Sequence, residues 1–237
     1  MEGITFYPQG DRAVTVRFGT EINEDIHENV MKLTNLLKQE PFSGMEEVVP
    51  SYHTVTVYYH PTRLSKTSLH PYEQIISILK QKLISSPRIT LQNSTIITIP
   101  ICYGGNYGPD LATVANFHQL SETDIIEYHL NQTYKVYMIG FVPGFPYLGG
   151  MDKRIATPRK ETPRMAVPNG SVGIGGEQTG IYPIESPGGW QIIGRTPLHL
   201  FKATNIRPSI LKAGDIVQFK QISEIEYENW DGASTCI

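Results

Sequence analysis

The spacing of apolar residues changes several times along the chain, and each change marks an element. Residues 13–18, Ala-Val-Thr-Val-Arg-Phe, alternate as a half-buried strand does. Gly10-Asp11 before them supplies a turn from a first strand that starts near residue 4. From Ile22 the apolar positions recur at three- and four-residue steps, through Ile26, Val30, Leu33 and Leu37, which predicts an amphipathic helix. Asn23 is placed to cap it, Glu24 and Asp25 suit the positive end of its dipole, and Pro41 lies beyond its end. His27 and Glu28 fall on its solvated side. Residues 46–50 and 52–59 are rich in strand formers and divide at Pro50-Ser51. A second helix is predicted from Pro71, with Tyr72, Ile75, Ile76, Leu79 and Leu83 as its buried stripe and Ser85-Ser86-Pro87 as its end. Residues 94–101 form a further strand. The order strand, helix, strand, strand, helix, strand is that of the split-βαβ, ferredoxin-like arrangement. The expected fold class is α+β, with a ferredoxin-like domain over 1–90. The strand near 95–101 either completes it or starts the next domain.

The second domain, 91–237, reads differently. After a loop over 104–109, Asp110 is placed to cap a short helix with Leu111, Val114 and Ala115 on its apolar side. Ser121-Glu-Thr-Asp124 resembles a capping box with Asp in place of Glu, and it opens a helix that buries Ile125, Ile126 and His129 or Leu130. Residues 134–142 form a strand. Twelve of the chain's 21 glycines and seven of its 17 prolines then fall between Gly140 and Gly194, interleaved with Phe, Tyr, Trp, Ile and Val. Short apolar runs between demanding turns predict a closed all-β structure rather than a linker. A last strand covers 216–219, after the turn Ala213-Gly-Asp215. Residues 95–222 fit one small barrel with two short helices outside it.

Composition narrows the function classes. A net charge of −3 without a Lys/Arg block gives no case for nucleic acid. No stretch approaches the length of a membrane span, and the N-terminus lacks the basic and apolar regions of a signal peptide. Cys102 and Cys236 fit no metal spacing and point to a reducing compartment, so the expected location is the cytoplasm. The sequons at Asn93 and Asn131 are then chance matches.

Familiar catalytic motifs are missing. The chain contains no Gly-Lys pair and so no Walker A loop. Residues 173–180, Gly-Ile-Gly-Gly-Glu-Gln-Thr-Gly, do not match GxGxxG and lie in β territory, where glycines serve tight turns. Asn169 spoils a GxSxG match around Ser171, and no helix follows to form a nucleophile elbow. Met31 stands where HExxH needs its second histidine, and no metal site is expected. The best lead is the polar set among the glycines. Arg164 and Arg195 suit a carboxylate or phosphate, and Glu177 and Gln178 offer an acid and an amide at one turn. Ser171, Thr179 and Tyr182 add hydroxyls, and Trp190 between glycines is placed to floor a pocket. The alternative is structural: arginines bonded to backbone carbonyls and Trp190 in the core.

Taken together, Gly-Phe-x-Pro-Gly-Phe-Pro-Tyr-Leu at 140–148, Thr-Pro-Arg at 162–164, Val-Pro-x-Gly-Ser-Val at 167–172, Gln-Thr-Gly-Ile-Tyr-Pro at 178–183, Ser-Pro-Gly-Gly-Trp at 186–190 and Ile-Gly-Arg-Thr at 193–196 resemble the family of the 5-oxoprolinase B subunit, also called allophanate hydrolase subunit 1 and sporulation kinase inhibitor. Gly10-Asp11-Arg12-Ala13 and the order of the first elements also fit, so the resemblance spans nearly the whole chain. Asn169 departs from it, standing where the family usually has alanine. The resemblance implies a cyclophilin-like barrel without prolyl isomerase activity. It implies one component of a heteromeric enzyme that opens 5-oxo-L-proline to L-glutamate with ATP hydrolysis, inactive alone, with 5-oxoprolinase subunits A and C as partners. ATP is expected to be bound by the complex, since this chain has no nucleotide motif. In that enzyme Glu177 and Arg195 are the expected catalytic groups, and Arg164, Ser171, Gln178, Thr179, Tyr182 and Trp190 bind substrate. Relatives that inhibit the autophosphorylation of a sporulation histidine kinase give a second reading. A role linked to urea carboxylase or allophanate hydrolase is a third, weakened by the lack of a biotinyl-lysine motif.

Overall fold

A computed structural model describes residues 3–65, 67–85 and 96–231 of the chain. The chain divides into two compact units, 1–93 and 94–237. The expected end of the second helix at Ser86-Pro87, the start of the following strand at Ser94, the 90/91 boundary, Asn93 and Cys236 all lie outside the described residues.

The first unit begins with a hairpin of β1 (Thr5–Pro8) and β2 (Ala13–Arg17), turned at Gly10 with φ +61°. Helix α1 (Glu24–Gln39) follows, and Asn23 Oδ1 accepts a hydrogen bond from Ile26 N at 2.9 Å, as the cap reading expects. Strands β3 (Met45–Ser51) and β4 (Thr54–Tyr59) form a second hairpin. Pairing continues through Ser51↔Thr54, so the turn is Tyr52-His53 and not Pro50-Ser51. Helix α2 (Pro71–Ser85) closes the unit. The four strands pair in the order β1-β2-β4-β3. Val14 and Val16 of β2, Val48 of β3 and Val55, Val57 and Tyr59 of β4 form one core with Val30, Leu33 and Leu37 of α1 and Ile75 and Leu79 of α2. Alternation on the strands and helical spacing on α1 and α2 turn these side chains to one side.

Of the two places left open for the strand near 95–101, the chain takes the second: its residues from Ile96 belong to the barrel, and β1 holds the edge beside β2. Two details differ from the sequence reading. Ile22 precedes α1 and is exposed. His27 is buried, with Nδ1 3.2 Å from the Tyr52 carbonyl. The inward stripe of α1 therefore runs through His27, Val30, Leu33, Thr34 and Leu37.

The second unit is built on a closed seven-stranded barrel. Its strands are β5 (Ile96–Tyr103), β6 (Tyr134–Ile139), β7 (Pro146–Gly149), β9 (Ser171–Gly175), β10 (Gln178–Ile181), β12 (Gln191–Arg195) and β13 (Ile216–Gln221). Their order around the wall is β10-β7-β6-β13-β5-β12-β9. Only β13 and β5 run parallel among these neighbours; the rest are antiparallel. Strands β8 (Arg164–Val167) and β11 (Ser186–Gly188) form a separate two-stranded ribbon. Helices α3 (Leu111–His118) and α4 (Glu122–Leu130) bring Leu111, Val114, Ala115 and Ile125 into the same core as the strands. The Ser121–Asp124 capping box is present in both directions. A short helix α5 (Glu224–Glu228), which the sequence reading omits, opens with the same device at Ser223 and Glu226. No helix among the described residues is long and apolar enough to cross a membrane.

Candidate functional site

The loop after β5 sets the geometry of the site. A Cβ on Gly108 would run into the carbonyl of Ile193, so only glycine allows the loop to lie against β12. That approach brings Asp110 to the neighbouring strand. Asp110 N donates to Ile192 O at 2.8 Å, and Asp110 Oδ2 accepts from Ile192 N at 2.7 Å. Asp110 makes no side-chain cap for α3, which corrects the sequence reading. Its other oxygen, Oδ1, accepts from Arg164 Nη2 at 2.7 Å and from Lys160 Nζ at 3.0 Å. The carboxylate is only 3% exposed. Burial alone would raise its pKa, but the bonds from Arg164, Ile192 N and Lys160 outweigh it and hold the carboxyl below its ordinary value. Arg164 is held more firmly protonated by the same pair.

Outside this cluster lies an open groove of about 400 Å³. Thr113 and Phe117 of α3 line it, facing Pro158, Arg159, Lys160 and Gln191. The Lys160 backbone is fixed by its N–H to Gly189 O at 2.7 Å. The Arg159 guanidinium lies 5.6 Å from the Trp190 ring centre. Gln191 is buried, donates Nε2 to Pro158 O at 3.0 Å, and leaves Oε1 without a partner among the described residues.

The eight residues expected from sequence do not form one pocket. Trp190 is core: with Phe145, Val167, Tyr182 and Ile192 it forms a small cluster, in T-shaped contact with Phe145 at 5.4 Å. A Cβ at Gly175 would sit 2.6 Å from the Trp190 ring. Gly175→Ala is therefore expected to lose about 1–3 kcal/mol by overpacking, read as a lower urea midpoint with unchanged slope. Tyr182 is buried in the same cluster, its pKa raised by burial. Beside it Phe141 is 60% exposed and has φ +70°, a conformation that costs a non-glycine residue on the order of 1–3 kcal/mol.

Thr179 is fully buried in a different network. Its hydroxyl donates to Gly173 O at 3.0 Å and lies 3.0 Å from His129 Nε2. His129 Nδ1 is 2.7 Å from the Tyr103 hydroxyl, and Tyr134 Oη donates to His129 O at 2.7 Å. Because Thr179 spends its proton on Gly173, His129 must donate from Nε2 and accept from Tyr103 at Nδ1. Burial pushes the His129 pKa down to about 3, so the ring is neutral.

Ser171 pairs with Arg195 across β9 and β12, and Arg195 Nε donates to Asn169 O at 2.6 Å. Glu177 and Gln178 belong to the hairpin at the other end of β9, where Gln178 pairs with Gly175. Glu177 is exposed and 3.7 Å from Lys153 Nζ. Four strand steps, roughly 13 Å at the usual rise, separate the Ser171 and Gly175 ends, so Glu177 and Arg195 are not brought together. Arg164 alone of the eight joins the Asp110 cluster. The sequence reading missed Asp110, Arg159, Lys160 and Gln191. A usable signal was present: Thr157-Pro-Arg-Lys and Thr162-Pro-Arg place three cations within eight residues. Among the described residues no group of three or more His, Cys, Asp or Glu is placed to hold a metal ion.

Comparison with known proteins adds a family. The model of the carboxyltransferase domain, subdomain C and D, matches residues 4–211. The 5-oxoprolinase B subunit of Bacillus subtilis is 46% identical over 222 residues, covering 92% of each chain. That of Escherichia coli O157:H7 is 38% identical over 220 residues, covering 92% of this chain and 96% of its own. A crystal structure of a conserved uncharacterized protein from Pyrococcus horikoshii is 44% identical, with a TM-score of 0.55 over 94% of this chain and 100% of that one.

Proposed function

The chain belongs to the carboxyltransferase subdomain C and D family and to its 5-oxoprolinase B subunit members, and from that membership we propose that it is the B subunit of a heteromeric, ATP-dependent 5-oxoprolinase. The observation that carries this reading is identity of 46% over 92% of both chains, which takes in both compact units. These relatives are named as one component of an assembly, and the partners proposed for this chain are subunits A and C. In this reading the first unit is a ferredoxin-like variant with β1 in the edge position, and the barrel is of cyclophilin type.

The reaction converts 5-oxo-L-proline, ATP and water to L-glutamate, ADP and phosphate. A lactam carbonyl is a poor electrophile. Transfer of the γ-phosphoryl group to its oxygen releases ADP and leaves the ring carbon open to water. Water then adds at that carbon and the carbon–nitrogen bond breaks, the nitrogen taking a proton, which leaves γ-glutamyl phosphate; a second water hydrolyses this acyl phosphate to glutamate and phosphate. No Gly-Lys loop in this chain matches a triphosphate, and this reading has the partners supply part of the nucleotide site. Glu177 is exposed at its hairpin, and this reading assigns it a catalytic part at an interface with a partner. Arg195 uses only Nε within the described residues, which leaves its Nη groups for a ligand.

Purification of the tagged chain from its native cell tests the assembly. Subunits A and C are expected to co-purify in fixed proportion. A chain recovered alone, or with neither of them, would overturn the proposal.

A further inference from the structure

We propose that the groove beside α3 binds a compact cyclic amide carrying one carboxylate, with Lys160 and Arg159 holding the carboxylate and Gln191 Oε1 accepting the ring N–H. The proposal rests on the reading of the chain as a 5-oxoprolinase component, under which the ligand is 5-oxo-L-proline.

Charge argues first. Of the charged residues that line the groove, Arg159 and Lys160 are cationic and Glu161 is anionic, which leaves one net positive charge there; Arg164 and Asp110 pair behind it and cancel. That balance suits a monoanion. A nucleotide triphosphate brings several negative charges and calls for a glycine-rich backbone cradle, which this groove lacks. Preorganisation argues second. Lys160 has three donors and gives one to Asp110, so two remain for a ligand. Asp110 is itself fixed to the Ile192 backbone, so the ammonium is held in place before any ligand arrives. Contact with the Trp190 ring restrains Arg159 in the same way.

The amide argues third. Gln191 lines the groove and is 8% exposed, and its Oε1 is buried without a hydrogen bond among the described residues. A buried acceptor left unmade is costly, and a ligand N–H that reaches Gln191 Oε1 supplies the missing donor while its Nε2 keeps the bond to Pro158 O. Phe117 and Pro158 offer apolar surface to the ring methylenes. The open groove, about 400 Å³, has room for a single five-membered ring.

The test is a nuclear magnetic resonance titration of the full chain with 5-oxo-L-proline, with 2-pyrrolidinone, which lacks the carboxylate, and with L-proline, which lacks the lactam. Saturable shifts are expected at residues 157–162 and at Gln191 for 5-oxo-L-proline, with much weaker binding of the other two. Lys160→Ala is expected to weaken binding roughly tenfold or more, the loss of one charged hydrogen bond, and Lys160→Arg to restore part of it. Gln191→Met is expected to weaken 5-oxo-L-proline while leaving L-proline unchanged. Shifts centred on Ser171 and Arg195, or equal affinity in the Lys160→Ala protein, would overturn the inference. No groove binding alongside an active reconstituted complex sinks the inference and leaves the proposed function standing. Groove binding in a chain that adds nothing to such a complex does the reverse.

Discussion

Asp110→Ala is expected to destabilise the barrel unit by about 3 kcal/mol and to abolish ligand binding in the groove. The carboxylate is almost fully buried and takes hydrogen bonds from three donors on two segments, Lys160 and Arg164 on one and Ile192 on the other. Removing it leaves Ile192 N without its acceptor inside the sheet. It also leaves Arg164 and Lys160 as neighbouring cations with no anion between them. Breaking one side of a buried ion pair costs on the order of 3–5 kcal/mol. Arg164 and Lys160 keep 28% and 30% of their side chains in solvent, which places the expected value at the low end. Asp110→Asn is expected to lose less, because its amide oxygen still accepts from Ile192. Urea unfolding measures both. A change below about 0.5 kcal/mol for alanine, the range of ordinary surface substitutions, would mean that the cluster does not hold the loop to β12.

Acid is expected to weaken the same unit through His129. Its folded pKa is about 3, depressed by burial, against an ordinary 6.5. The unfolded chain therefore binds the proton first as pH falls. The stability conferred by the neutral ring is fully present above pH 6.5 and is lost progressively towards pH 3. A tenfold difference in proton affinity between folded and unfolded chain corresponds to about 1.4 kcal/mol, so the loss over this window is on the order of 5 kcal/mol. The neutral ring matters because Tyr103 donates to Nδ1, which an imidazolium cannot accept. Phe219 stacks on the ring at 4.7 Å and Tyr134 covers another side, and among the described residues no charged group offsets the burial. Asp215 works in the opposite sense: burial raises its folded pKa, so it takes up a proton more readily in the folded chain as pH falls. His129→Gln separates the two. It is expected to be less stable at pH 7 and to lose about one proton's worth of slope between roughly pH 6.5 and 4.5. An unchanged slope would show that His129 is not the titrating group.

What the sequence disclosed divides by range. Val14, Val16, Val55 and Val57 announce their strands by alternation, and the caps at Asn23 and Ser121 announce their helices, because each signal lies within a few residues. The order in which the strands close the barrel does not follow from such signals. Residues 94–101 look the same whether they pair with β2 or with β13, and the choice depends on partners more than a hundred residues away. Asp110 shows the same limit. Locally it reads as a helix cap, and its partners at 160, 164 and 192 become visible only in three dimensions. Glu177 and Arg195 are close in sequence to the same turns yet lie at opposite ends of β9, since an extended strand carries neighbours apart quickly. His27 reads as solvated because the apolar count skips it, although it sits three residues before Val30 on the inward face.

The most direct test of the proposed function is glutamate formation from 5-oxo-L-proline by purified subunits A and C, with and without this chain, at saturating ATP. ADP and glutamate are predicted to appear together in equal amounts only when all three are present, and Lys160→Ala in this chain is predicted to raise KM for 5-oxo-L-proline about tenfold, the equivalent of one charged hydrogen bond. The same rate of glutamate formation in the absence of this chain would contradict the account.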